Sequence, residues 1–261
     1  EFSKETHSGF TFEVSATRKK FDPVRSLPDN SIYKSGVGDS LNNAEIGFRI
    51  RFAYLERFLE GTFLRSSLGS PYPIGEINYS RGFPGFLKSN YQYHKLSFSV
   101  HDYFKVANYG EIYYNIYGGK IFGTLPFPLL EIHPGNEMYY YNKYAYSLMN
   151  RFEFLSDEYA GINIEHNFGN GVFRLLAPTR KLKFRQFWTA KTLWGGLSNA
   201  NKSFNQVGTV FDNGHQFQSL NGKTYMELGT GVDNILRVLR IDFVWRLLPL
   251  PMPTEKYRRF G

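Results

Sequence analysis

No cysteine occurs among the 261 residues, which removes disulfide frameworks, thiolate nucleophiles and zinc ribbons without fixing a compartment. Long apolar runs are missing too. Mean hydropathy is −0.39, and no stretch approaches the roughly 18 uninterrupted apolar residues of a spanning helix, so a helical membrane protein is excluded. The chain opens on EFSKETHSGF, with neither an initiator methionine nor the apolar core of a signal peptide. Any export signal is therefore expected outside this sequence. Single-sign charge blocks are scarce as well. The net charge is +8 and the pI about 9.4, but Lys and Arg are spread along the chain. Their densest groups, Thr17–Lys20, Thr179–Arg185 and Glu255–Arg259, fall at segment ends. No nucleic-acid motif accompanies them, so nucleic acid is not an expected partner. Basic rims facing anionic lipid headgroups are.

What is abundant is aromatic: 25 Phe and 19 Tyr, with 25 Gly beside them. Aromatic girdles and glycine-rich strands fit an outer-membrane β-barrel. The patterning agrees. Phe10, Phe12, Val14 and Ala16 alternate with Thr11, Glu13, Ser15 and Thr17; Ile46, Phe48, Ile50 and Phe52 alternate with Glu45, Gly47, Arg49 and Arg51. Leu96, Phe98 and Val100 alternate with Lys95, Ser97, Ser99 and His101, and Ile162 and Ile164 with Asn163 and Glu165. In the last such segment Leu239, Ile241, Phe243, Trp245 and Leu247 share one face, and Arg240, Asp242, Val244 and Arg246 the other. A soluble sandwich alternates as well. Two features favour the barrel: the segments are long, and short connections alternate with long polar ones near 22–42, 81–90, 123–157, 198–222 and 248–257.

This predicts strands at 9–21, 43–52, 73–80, 91–104, 110–122, 158–168, 182–197, 223–232 and 238–248, with tighter links near 53–72, 105–109, 169–181 and 233–237. TEKYRRFG at Thr254–Gly261 reads as the start of a tenth. An open edge in lipid would leave backbone groups unpaired, so further strands are expected beyond one or both ends. Phe48, Ile50, Phe98, Ile162, Ile241, Phe243 and Trp245 are expected to face lipid. Glu45, Arg49, Arg51, Lys95, Glu165, Lys191, Glu227, Arg240, Asp242 and Arg246, with Glu13 and Glu76, are expected to line a salt-bridged aqueous lumen. Because both signs are mixed, no ion-selective ring follows.

The stretch from Gly119 to Phe168, AKTLWGGL at Ala190–Leu197, LGSPYPIGEINYSRGF at Leu68–Phe83, YHKL at Tyr93–Leu96 and EIHPGN at Glu131–Asn136 resemble an uncharacterised outer-membrane barrel family of Bacteroidota. Full-length members of that family carry an N-terminal carboxypeptidase-regulatory-like domain. The family in turn is distantly similar to the BamA and TamA surface-antigen barrels. That resemblance implies an all-β chain, the C-terminal part of a roughly sixteen-stranded antiparallel transmembrane barrel, here with about nine to ten of its strands. It also implies that 123–157 is the long extracellular loop. The Arg-Gly-aromatic motif of BamA-type loops is not in it: Arg81-Gly82-Phe83 lies in an earlier connection, and Arg151-Phe152 lacks the glycine.

Enzymatic signals are weak. His94 and His101 are seven apart, hence on opposite strand faces and unable to share a metal. Ser97 and His101 share a face but stand about 13 Å apart along a strand, beyond hydrogen-bond reach. Neither a metal nor a cofactor is expected. In the long loop, Pro134-Gly135 after His133 favours a turn, and LPFPLL at Leu125–Leu130 suggests a segment folded onto protein. His133, Pro134, Gly135, Asn136, Tyr139, Tyr140, Tyr141 and Arg151 are thus candidates for a lumen plug or a partner contact. The expectation is a non-enzymatic outer-membrane protein of a Gram-negative cell, acting in an envelope-assembly or export complex. Its partners would be outer-membrane lipid, lipopolysaccharide and other outer-membrane or periplasmic proteins. A passive pore and an outer-membrane lipase using Ser97 are the alternatives.

Overall fold

The computed structural model describes residues 2–22, 41–62, 65–136, 142–150, 152–171, 173, 181–211, 214 and 216–249. The period-two segments form long strands: β2 (Phe10–Phe21), β3 (Leu41–Phe52), β6 (Ile74–Gly82), β7 (Tyr93–Lys105), β8 (Glu111–Phe122), β11 (Glu158–Gly169), β12 (Arg185–Gly196), β13 (Thr224–Ile235) and β14 (Leu239–Leu248). Each lies within a few residues of its sequence expectation. A short strand, β1 (Phe2–Glu5), is added in front, and all ten form one antiparallel sheet in the order β1-β2-β3-β6-β7-β8-β11-β12-β13-β14. Gly9, at φ +88°, folds β1 back onto β2. A Cβ there would also lie 2.7 Å from the Ala53 carbonyl oxygen, so glycine meets both demands.

The link 53–72 is more than a tight turn. It folds into a hairpin of β4 (Arg57–Glu60) and β5 (Arg65–Gly69). Glu56 accepts two hydrogen bonds from the Arg51 guanidinium, at 2.6 and 2.7 Å, and one from Ser67 Oγ. These bonds, Arg51's foremost, hold the Glu56 carboxyl below the usual range. Residues 254–261, read as the start of another strand, lie outside the described residues.

Register carries one apolar row across the whole sheet. Val14 faces Phe48, Phe48 faces Tyr79 and Tyr79 faces Leu96; beside them run Ile50, Ile77 and Phe98. Farther along, Val100 faces Ile116, Ile116 faces Ile162, and Thr230 faces Phe243. This face is uncovered: Phe48, Ile50, Phe98, Ile162, Ile241, Phe243 and Trp245 are all exposed, Ile241 at 50 %. The opposite face holds most of the strand charges, and it is the one the connections cover; on the apolar face Lys120 and Glu158 pair near the strand ends at 3.0 Å. No described helix is long and apolar enough to cross a membrane, which says nothing about strands.

The buried apolar side chains gather where the long connections meet the strand ends. Within the 123–157 connection β9 (Glu131–Ile132) pairs with β10 (Leu155–Ser156). One cluster joins Leu41, Tyr93 and Ile121 to Leu125, Phe127, Leu130 and Leu155 of that connection, and to Phe211 and Phe217 of the next one. A second joins Tyr146, Met149 and Phe154 to Tyr159, Leu193, Leu220 and Tyr225. The connection at 198–222 is therefore part of the core rather than a polar surface loop. It opens with a short helix, α1 (Asn199–Phe204), whose N-cap Ser198 accepts from the Asn201 N–H. Asn201 is fully buried. Its side chain accepts from Leu125 N–H at 2.8 Å and donates to the Gly123 carbonyl at 3.0 Å and to Asp157 at 2.8 Å. One amide thus ties both roots of the 123–157 connection to α1.

Candidate functional site

The charged face consists of alternate residues from every long strand, and its charges are paired. Arg49 reaches Glu76 at 2.7 Å and Glu13 at 3.4 Å, strand to strand. Arg51 turns to Glu56, and Glu45 accepts from the Tyr93 hydroxyl and from Lys19 Nζ at 3.4 Å. Arg240 spans Glu165 at 3.2 Å and Asp242 at 2.9 Å, with its guanidinium over the Phe187 ring.

Arg185 on β12 pairs with Asp233 on β13 at 2.8 Å, whereas four further charges of β7, β12, β13 and β14 find their partners in the 123–157 connection. Lys95 bridges Glu131 at 2.7 Å. Lys191 donates to the Ala145 carbonyl at 2.5 Å. Glu227, 2 % exposed, accepts from the Ser147 and Leu148 N–H groups at 2.9 and 2.7 Å and from the Tyr225 hydroxyl. Arg246 meets Glu153 at 2.8 Å, with both side chains at or below 1 % exposure. Lys191, Glu227 and Arg246 are consecutive partners across three strands. They form a row of alternating sign beneath the loop.

Tyr146 is the side chain the loop inserts most deeply. Fully buried, it meets the Tyr117 hydroxyl, donates to the Thr192 carbonyl at 3.0 Å and packs edge-on against Tyr225. Tyr117 can lie across the sheet because its neighbour on β11 is Gly161, where a Cβ would overlap the Tyr117 ring. Lys143 extends to β7 and β8, donating to the Tyr103 hydroxyl at 3.0 Å with its ammonium 3.1 Å from the Tyr113 ring centre. Burial there holds its pKa down to about 8.

His133 is buried, with Nε2 2.9 Å from Ser156 Oγ and its ring edge-on to Tyr159. Pro134 is exposed but its carbonyl accepts from Tyr146 N–H at 2.8 Å. Gly135 is pressed against the Met149 and Asn150 backbone, and Asn136 N–H donates to the Met149 carbonyl at 2.9 Å. These four residues form the inner lining of the loop. Tyr139, Tyr140, Tyr141 and Arg151 lie outside the described residues. Sequence reasoning passed over Glu153, Tyr225 and Asn201. Tyr225 and Glu227 occur two apart on one strand face, which was a legible signal. Nothing in sequence indicated that Glu153 would meet Arg246.

Burial pushes His133 down to about 4 from an ordinary value near 6.5. Between these values the undocked loop takes up a proton that the docked loop refuses. Docking therefore has its full stability above about pH 6.5 and weakens as pH falls toward 4, by about 3 kcal/mol over the window. The protection factors of the 142–150 amides, corrected for the slower intrinsic exchange in acid, should fall on acidification, and His133→Gln should flatten that dependence. An identical pH profile in the variant would show that His133 is not the titrating group.

Ser97 faces Asn78 and Gly119, while His101 faces Ile74 and Asn115, so the two occupy different rungs. His94 lies on the other face, 2.7 Å from the Tyr79 hydroxyl. Among the described residues no three His, Asp or Glu side chains gather closely enough to hold a metal ion. No curated protein matches the chain. The model for the C-terminal domain of a family of unknown function, DUF5686, matches residues 8–202, which takes in every strand from β2 to β12, and the chain belongs to that family.

Proposed function

We propose that this chain forms wall strands of a transmembrane β-barrel in the outer membrane of a Gram-negative cell. On this reading the charged face lines the lumen, residues 123–157 plug it, and the protein acts without enzymatic chemistry in an envelope-assembly or export complex. The observation that carries the membrane placement is the inversion of the sheet. Apolar side chains stand uncovered on one face along all the long strands while the opposite face buries Glu227 and Arg246, the latter against Glu153 of the 123–157 connection. Monomeric soluble proteins rarely leave contiguous apolar patches beyond a few hundred Å². Lipid is the solvent in which this arrangement is the low-energy one. The long connections would lie at the cell surface and the tight links, with the β4–β5 hairpin, in the periplasm.

A charge on the apolar face tests the placement directly. Phe98, 47 % exposed, sits near the middle of β7. Phe98→Arg should lower folding stability in lipid by at least about 2 kcal/mol, whereas a water-facing position would tolerate it. Urea titration in vesicles reads the difference.

The partner role is supported by the plug, which meets the wall through backbone groups as a polypeptide client would. Depleting the protein should lower the levels of outer-membrane proteins or surface lipoproteins. An unchanged outer-membrane proteome in a clean deletion would sink this reading, and steady conductance of the intact protein in planar bilayers would favour a pore.

A further inference from the structure

We infer that the wall beneath the plug is a binding site for a short tyrosine-bearing polypeptide, now occupied by the chain's own residues 145–149. This deepens the reading that the protein works on other polypeptides, and rests on it for its biological setting.

Three contacts from the wall and two from Pro134 and Asn136 of the same loop are all to backbone. Each of five consecutive residues has a backbone group bonded from outside the segment. Lys191 takes the Ala145 carbonyl; the Pro134 carbonyl takes Tyr146 N–H; Glu227 takes Ser147 and Leu148 N–H; and Asn136 N–H takes the Met149 carbonyl. Backbone groups are common to every sequence, so such a set reads peptide rather than one particular loop.

Side-chain selectivity sits at one position. The Tyr146 hydroxyl meets a donor-acceptor pair, Tyr117 and the Thr192 carbonyl, at the bottom of a pocket walled by Tyr225, and the ring is fully buried. Buried aromatic anchors of this kind dominate the energetics of most interfaces. The next side chain, Ser147, is exposed, while Leu148 and Met149 are buried. The preferred ligand is therefore a bent segment with Tyr, then any residue, then two apolar residues, its two successive N–H groups turned to one carboxylate.

Electrostatics point the same way. A carboxylate accepting two successive N–H groups and an ammonium on a carbonyl bind the uncharged backbone through charge-assisted bonds, which are about twice as strong as neutral ones. Lys191 and Glu227 are direct partners in register, so removing the loop would leave them facing each other.

The probe is the synthetic peptide NKYAYSLMN, labelled with a fluorophore, added to the full chain in detergent. In a variant with residues 142–150 replaced one for one by a glycine–serine spacer, the peptide should bind saturably and at least tenfold tighter than to wild type. Phe at the second tyrosine should weaken it about tenfold, and Glu227→Gln in the spacer background should do the same. Tyr146→Gly serves as a second host should the spacer variant lose its β-sheet circular dichroism. A third measurement needs no variant: peptide carrying a photoreactive phenylalanine at the second tyrosine should cross-link wild type on β12 or β13. Absence of binding to a folded host, or binding indifferent to both the tyrosine and Glu227, overturns the inference, as does cross-linking only elsewhere. Binding without a depletion phenotype would leave the site standing and remove the envelope-assembly reading. A depletion phenotype without binding would do the reverse.

Discussion

Arg246→Met should cost about 3–5 kcal/mol of folding stability, because it strands the buried Glu153 carboxylate rather than merely deleting a contact. The pair lies 2.8 Å apart at essentially zero exposure, and the guanidinium also stacks over the Tyr225 ring at 4.6 Å. Burial already raises the Glu153 pKa with Arg246 present. Without it the group must take a proton or pull Phe154 and Leu155 out of the core. Glu153→Leu combined with Arg246→Met should recover most of the loss, since two charges leave together and apolar volume replaces them. Urea midpoints for the two single variants and the double variant in lipid complete the cycle. Near-additive losses would mean that the two side chains do not act as a pair.

Glu227→Ala should act on the plug more than on the wall. The carboxylate anchors Ser147 and Leu148 through their N–H groups, and hydrogen bonds to a charged group contribute about 1.5–3 kcal/mol each. Losing both shifts the local docking equilibrium by roughly a hundredfold or more. Trypsin cleavage after Lys143, whose side chain is held against Tyr103 and Tyr113, reads that shift. Cleavage should rise sharply while the sheet's circular dichroism is preserved. Trypsin resistance equal to wild type would mean that Glu227 is not the anchor. The contrast between the two variants is diagnostic: Arg246 joins the loop to β14 through a charge pair, whereas Glu227 holds the loop by its backbone N–H groups.

Strands and faces were legible because one rule governs them: a residue's position in a period-two pattern decides its side. Phe48, Phe98 and Trp245 declared the apolar side, and Arg49, Lys95 and Arg246 the charged one, before any coordinates. The link 53–72 was less legible. Its hairpin depends on Arg51 meeting Glu56, and a pair of charges five residues apart carries no periodic signature. The same holds for α1, too short for an amphipathic pattern and held by Asn201 contacts to residues more than seventy positions away. At the candidate site, the loop's tendency to pack was readable from Leu125–Leu130. Which face it would cover, and that Tyr146 would be fully buried against it, depends on long-range geometry. Local sequence cannot encode it.

The roots of the plug belong to β8 and β11, which are immediate neighbours in the sheet, with Lys120 opposite Glu158. A segment tethered at both ends one strand apart never diffuses away when it lets go. Its effective concentration at the Lys191–Glu227 site stays on the order of millimolar. A rival segment in solution at micromolar levels would lose that competition almost every time. Exchange at this wall therefore favours clients that are themselves held nearby, such as a chain already threaded along the same membrane surface, over freely diffusing ones.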